Sequence, residues 1–485
     1  MPGLMTILAL VAFVLVLAGL TEGFVSRAPI SFPMIFLGIG FVLAARGTIA
    51  IPPHSPTLEA VAIVSLSLVL FLDAVRMRFD KSSREWLVPS LILGPGTLVC
   101  LGLIGLAAHF LLGMGLVASI LLGAILSSTD PVVLRDMLRD KRIPTAVRQA
   151  LRVEAGTNDL VALPIVLGAI AVVKSTASTP GEWAWLLGRL LVVGPAAGFF
   201  IGASGAWLMT RADRRWGIRR EYQALFGLGL VFASYVAGVA VGGDGFLAAF
   251  AAGAAIAALD LDLCDCFLEY GDATAEMIML FAFILFGAAL WGLFAAVPAV
   301  PAIALALFTI FVARPAAIAL VLRRAAVSPS ARVFIGWFGP RGLASLLLAL
   351  LAVRANVAGA EMILAIAGVV VTVSVLLHGV TAMPLTTWYV RRIEAGTLAE
   401  ERVSTASDLL RVRRAEPADS TRIGPRELAL RLAGPRPPLV LDVRSRSGYE
   451  KDPVGIPGSV RVLPDQVADW AADRKKDQSI VAYCT

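Results

Sequence analysis

From its start to about residue 392 the chain alternates long apolar stretches with short polar connections. About thirteen such stretches occur, most near the ~20 residues that a membrane-spanning helix needs. Their centres lie near Ala12, Phe36, Leu68, Val99, Leu121, Leu163, Val193, Val231, Ala251, Phe281, Leu305, Leu343 and Val371. The last two are the least sharply bounded, the final one running from about Glu361 to Val390. The pattern predicts an all-α, polytopic membrane protein. The first stretch has no basic region before it and no small-residue cleavage site behind it, which marks a retained span rather than a signal peptide.

The Lys and Arg residues fall on every second connection: around Arg76 to Arg84, Arg135 to Arg152, Arg211 to Arg220, Arg323 to Arg332, and Arg391 to Arg392. The connections between, near Arg46, Lys174, Gly242 and Pro298, are almost free of charge. The positive-inside rule then puts the basic connections and the C-terminus in the cytoplasm and the N-terminus outside, as in a bacterial-type plasma (inner) membrane. Thirteen spans satisfy this alternation; twelve do not. Composition agrees, with 58% hydrophobic and 16% charged residues, which no ordinary soluble domain shows. The net charge of +7 is accounted for by these connections. Membrane lipid is the expected partner, and no nucleic-acid role is expected.

Two polar clusters interrupt the apolar pattern: Ser127-Ser128-Thr129-Asp130-Pro131, and Glu154-Ala155-Gly156-Thr157-Asn158-Asp159. Carboxylates at membrane depth cost roughly 2.5–3.5 kcal/mol on insertion scales, so they mark ion pathways by default. Pro131 lacks a backbone donor and pushes Asp130 away from helical angles, so a helix should break over Ser128 to Pro131. Broken helices at the midplane are a common way for transporters to build ion sites. In the second cluster Glu154 and Asn158 share a helix face, and Asp159 projects about 100° further round. Burial disfavours a carboxylate's charged form. Asp159 is therefore expected to hold either a proton or a monovalent cation, each displacing the other. With neutral Asn158 beside it, one cation per proton is the simplest count, which is electroneutral.

Arg314 and Arg341 also sit in apolar surroundings, and a buried arginine needs a partner. Glu154 is the natural partner for Arg314, leaving Asp159 unpaired; the alternative is that Arg314 snorkels to the nearby cytoplasmic boundary. Gly339-Pro340 and Gly342 around Arg341 should break a second helix, and interrupted segments in both halves signal an inverted repeat.

Thr129-Asp130-Pro131, Glu154-Ala-Gly-Thr-Asn158-Asp159, Ala313-Arg314-Pro315 and Gly339-Pro340-Arg341-Gly342, in this order, resemble the monovalent cation:proton antiporter superfamily, sodium–proton exchanger branch. The similarity covers roughly residues 5–392. It implies that Asp159 is the essential ion-binding acid, with Thr129, Asp130 and Asn158 completing or supporting its site. It further implies a Glu154–Arg314 ion pair, a homodimer and an elevator-like motion. Asp73, in Leu70-Phe-Leu-Asp73, falls where the family often has an acid; it could add an oxygen ligand or be a polar helix end. Ala155 replaces a serine that relatives often carry, which bears on sodium against potassium preference. His378 reads best as a hydrogen-bonded structural histidine, and the Gly238 to Gly253 run as close helix packing.

Composition changes after Tyr389. Residues 393–437 read as a charged cytoplasmic linker, and 438–485 as a small α/β piece with strands near Pro438 to Val443 and Ser479 to Cys484 and a helix near Pro464 to Arg474. Leu441-Asp442-Val443-Arg444, Gly455-Ile456-Pro457-Gly458-Ser459 and Val481-Ala482-Tyr483-Cys484 resemble the opening of a rhodanese-like domain, whose cysteine, here Cys484, starts the catalytic loop. The chain stops at Thr485, so this is expected to be a degenerate tail or a frame cut short, without sulfurtransferase activity. The four cysteines form no disulfide framework, and Cys264 with Cys266 offers too few ligands for a metal.

Residues 1–392 are thus expected to exchange Na+ or K+ for H+, without a cofactor. The other readings are a redox-gated potassium efflux transporter, a membrane-anchored sulfurtransferase and a passive channel.

Overall fold

The computed structural model describes residues 4–25, 30–76, 90–130, 137, 140, 142–174, 179–259, 265–323, 325, 327–394, 423, 425–434, 437–444, 454–462, 470 and 479–483. They form two compact units, Met1–Thr405 and Ala406–Thr485.

In the first unit every described element is helical. The helices are α1 (Leu4–Val25), α2 (Phe32–Ala45), α3 (Pro56–Val75), α4 (Ile92–Leu112), α5 (Leu116–Ser127), α6 (Thr145–Thr157) and α7 (Asp159–Val173). They continue with α8 (Pro180–Trp216), α9 (Arg220–Ala240), α10 (Gly245–Ala258), α11 (Asp265–Phe294) and α12 (Ala299–Val321). The last three are α13 (Pro329–Trp337), α14 (Leu343–Arg354) and α15 (Ala360–Glu394). Among the described residues, eight helical runs are long and apolar enough to cross a membrane, counting 150–173 as one, and five shorter apolar helices accompany them. The unit is a polytopic helical membrane protein.

Without water in the hydrocarbon layer each backbone N–H must be satisfied inside the helix or by a neighbour. The chain meets this at the helix starts with side chains: Ser55 and Ser328 accept from the N–H groups of Leu58 and Ala331, and Asp244 accepts from Leu247 at 2.9 Å. Three helices carry a five-residue π-turn, Ile92–Gly96, Arg189–Val193 and Thr309–Ala313, each containing a proline or lying just before one (Pro95, Pro195, Pro315). Proline cannot donate within the helix and its ring crowds the preceding turn; one extra residue in that turn relieves both.

Packing sorts the helices into two groups. In one, α3 lies against α10 and α11, α10 against α8 and α9, and α2 along α11. In the other, α4 packs on α5 and α12, α5 on α7, and α14 on α15. Gly253 lets α10 reach α3, since a side chain there would strike the Phe71 carbonyl. The glycine-rich run around it therefore does serve close packing. A recurring order is visible in the second group: a helix with a π-turn (α4, α12), an interrupted helix (broken after α5, and between α13 and α14), then a long helix.

The second unit contains α16 (Pro425–Leu432) and a parallel sheet of β1 (Leu439–Asp442), β2 (Val460–Arg461) and β3 (Ile480–Tyr483), in the order β2-β1-β3. β1 and β3 fall where the sequence places strands; β2 was not expected, being two residues long. The expected helix near 464–474 and Cys484 lie outside the described residues, apart from the helical residue Trp470.

Candidate ion-exchange site

Both polar clusters and the Arg341 element meet inside the first unit. α5 ends at Ser127, and residues 128–130 continue without helical structure; Pro131 lies outside the described residues. α13 ends at Trp337, and residues 338–342 are likewise non-helical. The two breaks cross. The Asp130 N–H donates to the Pro340 carbonyl at 2.9 Å, and the Leu343 N–H, at the start of α14, donates to Asp130 Oδ2 at 2.8 Å. Gly342 allows this contact, because any side chain there would strike the Asp130 carboxylate.

Arg341 Nη1 donates to the Ser127 and Ser128 carbonyls at 2.8 and 3.2 Å, and Nη2 to Cys100 Sγ at 3.3 Å. The buried guanidinium thus covers the negative end of α5, where the break leaves carbonyls without helical partners. Asp130 does the opposite service for α14, a carboxylate at a helix start. Each broken helix is capped by a charge from the other. The α15 residues Ser374 and His378 brace the second break: Arg341 N–H donates to Ser374 Oγ at 2.7 Å, and His378 Nε2 lies 3.0 Å from the Trp337 carbonyl. On the other side of the ring, Nδ1 lies 2.8 Å from the Ser374 carbonyl and 3.2 Å from Ser374 Oγ. His378 is a buried structural histidine.

Asp159 stands at the start of α7, only 6% exposed. Ser128 Oγ donates to its Oδ1 at 2.5 Å. Asp159 has no cationic partner among the described contacts, and it holds a hydroxyl that only the break in α5 brings within reach. Asn158 Nδ2 donates to Thr129 Oγ1 at 2.6 Å, leaving its buried Oδ1 without a partner among the described residues. Asn158 still belongs to the preceding helical turn, its N–H bonding the Glu154 carbonyl at 2.9 Å.

Glu154 takes no part in that oxygen set. Arg314 clamps it from two sides, through Nη1 and through Nη2 at 2.8 Å, so Arg314 does not snorkel away. Arg314 Nη2 also reaches the Ile335 and Phe338 carbonyls at 3.1 and 2.9 Å, passing over Gly339 where a side chain would collide with it. A bidentate, charge-assisted pair with added carbonyls is the geometry in which burial of two charges is tolerated.

Asp73, at the end of α3, lies beside Gly156: a Cβ on Gly156 would be 3.3 Å from the Asp73 carboxyl carbon. It also sits 3.9 Å from Arg76, which is itself paired with Asp272. These contacts place Asp73 at a polar helix end beside the Gly156 turn. Ser128 and Ser374 are the polar partners that sequence reasoning passed over; only the Ser128-Thr129 neighbourhood gave a signal for the first.

Residues 8–388 match the family described as sodium/hydrogen exchanger, transmembrane. The chain belongs to that family. The exchanger chain is similar to the K(+)/H(+) antiporter NhaP of Alkalimonas amylolytica, 28% identical over 375 residues, or 75% of this chain and 63% of that protein. It is also similar to the K(+)/H(+) antiporter NhaP2 of Shewanella sp. (strain ANA-3), 27% identical over 358 residues, or 73% of this chain and 62% of that protein. The chain thus spans somewhat under two thirds of the length of these relatives. Its fold is similar to that of the sodium proton antiporter MjNhaP1 from Methanocaldococcus jannaschii, with a TM-score of 0.65 and 20% identity, over 78% of this chain and 100% of that one.

Proposed function

We propose that this exchanger-family chain carries out antiport of a monovalent cation, Na+ or K+, against H+, by competition of the two for Asp159. The observation that carries this is a nearly buried carboxylate with a hydroxyl donor but no cationic partner among the described residues, near a second carboxylate, Glu154, that is fully paired. A carboxylate held by arginine keeps its charge and is useless as a carrier. One without such a partner needs a counter-charge, and a proton or an alkali cation supplies it. Thr129, Asn158 and Ser128 offer oxygens near it; Asp130 holds the crossing in shape and lends negative potential; Asp73 lies on the approach. One proton then replaces one cation, and exchange is electroneutral. Relatives named as K(+)/H(+) antiporters and a structural neighbour named as a sodium proton antiporter favour the same class of activity.

In this reading the eight long and five shorter apolar helices are thirteen spans arranged as inverted repeats, with the N-terminus outside and the C-terminus in the cytoplasm of a plasma membrane. Residues 1–392 form the exchanger, with lipid and not nucleic acid as its surroundings, and two copies pair as a dimer; 393–437 lead to a rhodanese-like piece, 438–485.

The test is dye-reported proton movement in everted vesicles on addition of Na+, K+ or Li+. Asp159→Asn abolishes the response and Asp159→Glu keeps part of it. A full response from Asp159→Asn overturns the proposal.

A further inference from the structure

Glu59, Ala62, Leu66 and Asp73 recur along α3 at intervals of three, four and seven residues, and so share a face. At the start of that face Glu59 Oε1 pairs with Nη2 of Arg354, the last residue of α14, at 2.6 Å. Tyr235 of α9 lies close to the Arg354 guanidinium. Just before α3, His54 Nε2 lies 3.4 Å from Oε1 of Glu361, the second residue of α15. The short connection 355–359 is therefore tied at both ends to α3, its leading loop and α9. These ties join the two helix groups: α3 and α9 belong to one, α14 and α15 to the other.

A transporter that exposes one site to two sides alternately does so by moving one bundle against the other. Contacts between the bundles at one end must then part whenever the site opens to that end. We propose that Glu59–Arg354 and His54–Glu361 are a latch that closes the outer end of the protein in the conformation seen here. The inference rests on the antiport reading for its meaning, but the latch itself is testable without transport. Both pairs are partly exposed, so each adds little to folding stability. Their weight lies elsewhere: a contact present in one of two states and absent from the other biases the balance between them.

The intact protein in proteoliposomes, at constant pH, supplies the test. Ala62→Cys, on the Glu59 face and buried, reports opening through its rate of modification by a membrane-impermeant maleimide added on the outer side, with Ala62 intact as the control for the native cysteines. Adding Glu59→Gln or Arg354→Gln speeds modification several-fold. The reversed pair Glu59→Arg with Arg354→Glu restores the slow rate. Raising ionic strength speeds modification of the parent, and speeds that of the Glu59→Gln protein less, since only the exposed His54–Glu361 pair is then left for salt to screen. Equal rates in parent and single variants, or a reversed pair as fast as the singles, overturn the latch. Absence of cation-driven proton flux in the parent would overturn the antiport reading instead.

Discussion

At the scale of single residues, three buried charges have three different fates because their partners differ. Arg314 neutralises Glu154, carbonyls and a thiol surround Arg341, and among the described residues Asp159 receives only a hydroxyl. Ser128→Ala removes a hydrogen bond to a charged group, worth about 1.5–3 kcal/mol. If Asp159 binds the cation as proposed, that hydroxyl supports the charged carboxylate it requires, and the apparent KM for the cation should rise about ten- to hundred-fold, measured in proteoliposomes. Removing one member of the buried pair, as in Arg314→Ala, leaves Glu154 uncompensated and should cost about 3–5 kcal/mol of stability. Thermal unfolding in detergent reads this directly, and a variant of native stability would contradict it.

Among elements, the broken helices depend on one another. Asp130 caps α14 and Arg341 covers the end of α5, so neither break stands alone. Gly342→Ala would push a methyl group into the Asp130 carboxylate, and should lower both the yield of folded protein and exchange by tenfold or more. Wild-type flux from Gly342→Ala would show that the crossing can relax. In the second unit Arg444 grips Asp442 with Nε at 2.9 Å and Nη2 at 2.6 Å. Its guanidinium holds the Asp442 carboxyl well below the usual carboxylate range. A depressed folded value means stability present above the unfolded value of about 3.9 and lost as pH falls below it. Hydrogen exchange at Leu439–Asp442 in the full chain should therefore lose protection as pH drops through that range; protection unchanged down to the lowest pH would refute the assignment.

For the whole molecule, the proposed competition of proton and cation for one acid would set the transport law. Lowering pH should raise the apparent KM for the cation without changing the maximal rate. With the proposed exchange of one charge for one, a potassium–valinomycin potential should leave sodium-driven exchange unchanged; a rate that follows the imposed voltage would exclude electroneutrality.

The sequence by itself determined the membrane class, the approximate place of every apolar helix and both helix breaks. Those follow from local facts: span length, the missing N–H of proline and the cost of charge in hydrocarbon. The Glu154–Arg314 pair was also legible, because two opposite buried charges leave each other few alternatives. The π-turns were not, since a proline alone does not say whether a helix kinks, ends or gains a residue. Nor was the Ser128 hydroxyl on Asp159, the capping of each broken helix by the other's charge, or the link from Glu59 to Arg354. Such contacts join residues 31 to more than 200 positions apart. Only the folded arrangement of two helix groups decides them, because neutral hydroxyls and carbonyls are common enough that composition and spacing cannot choose among them.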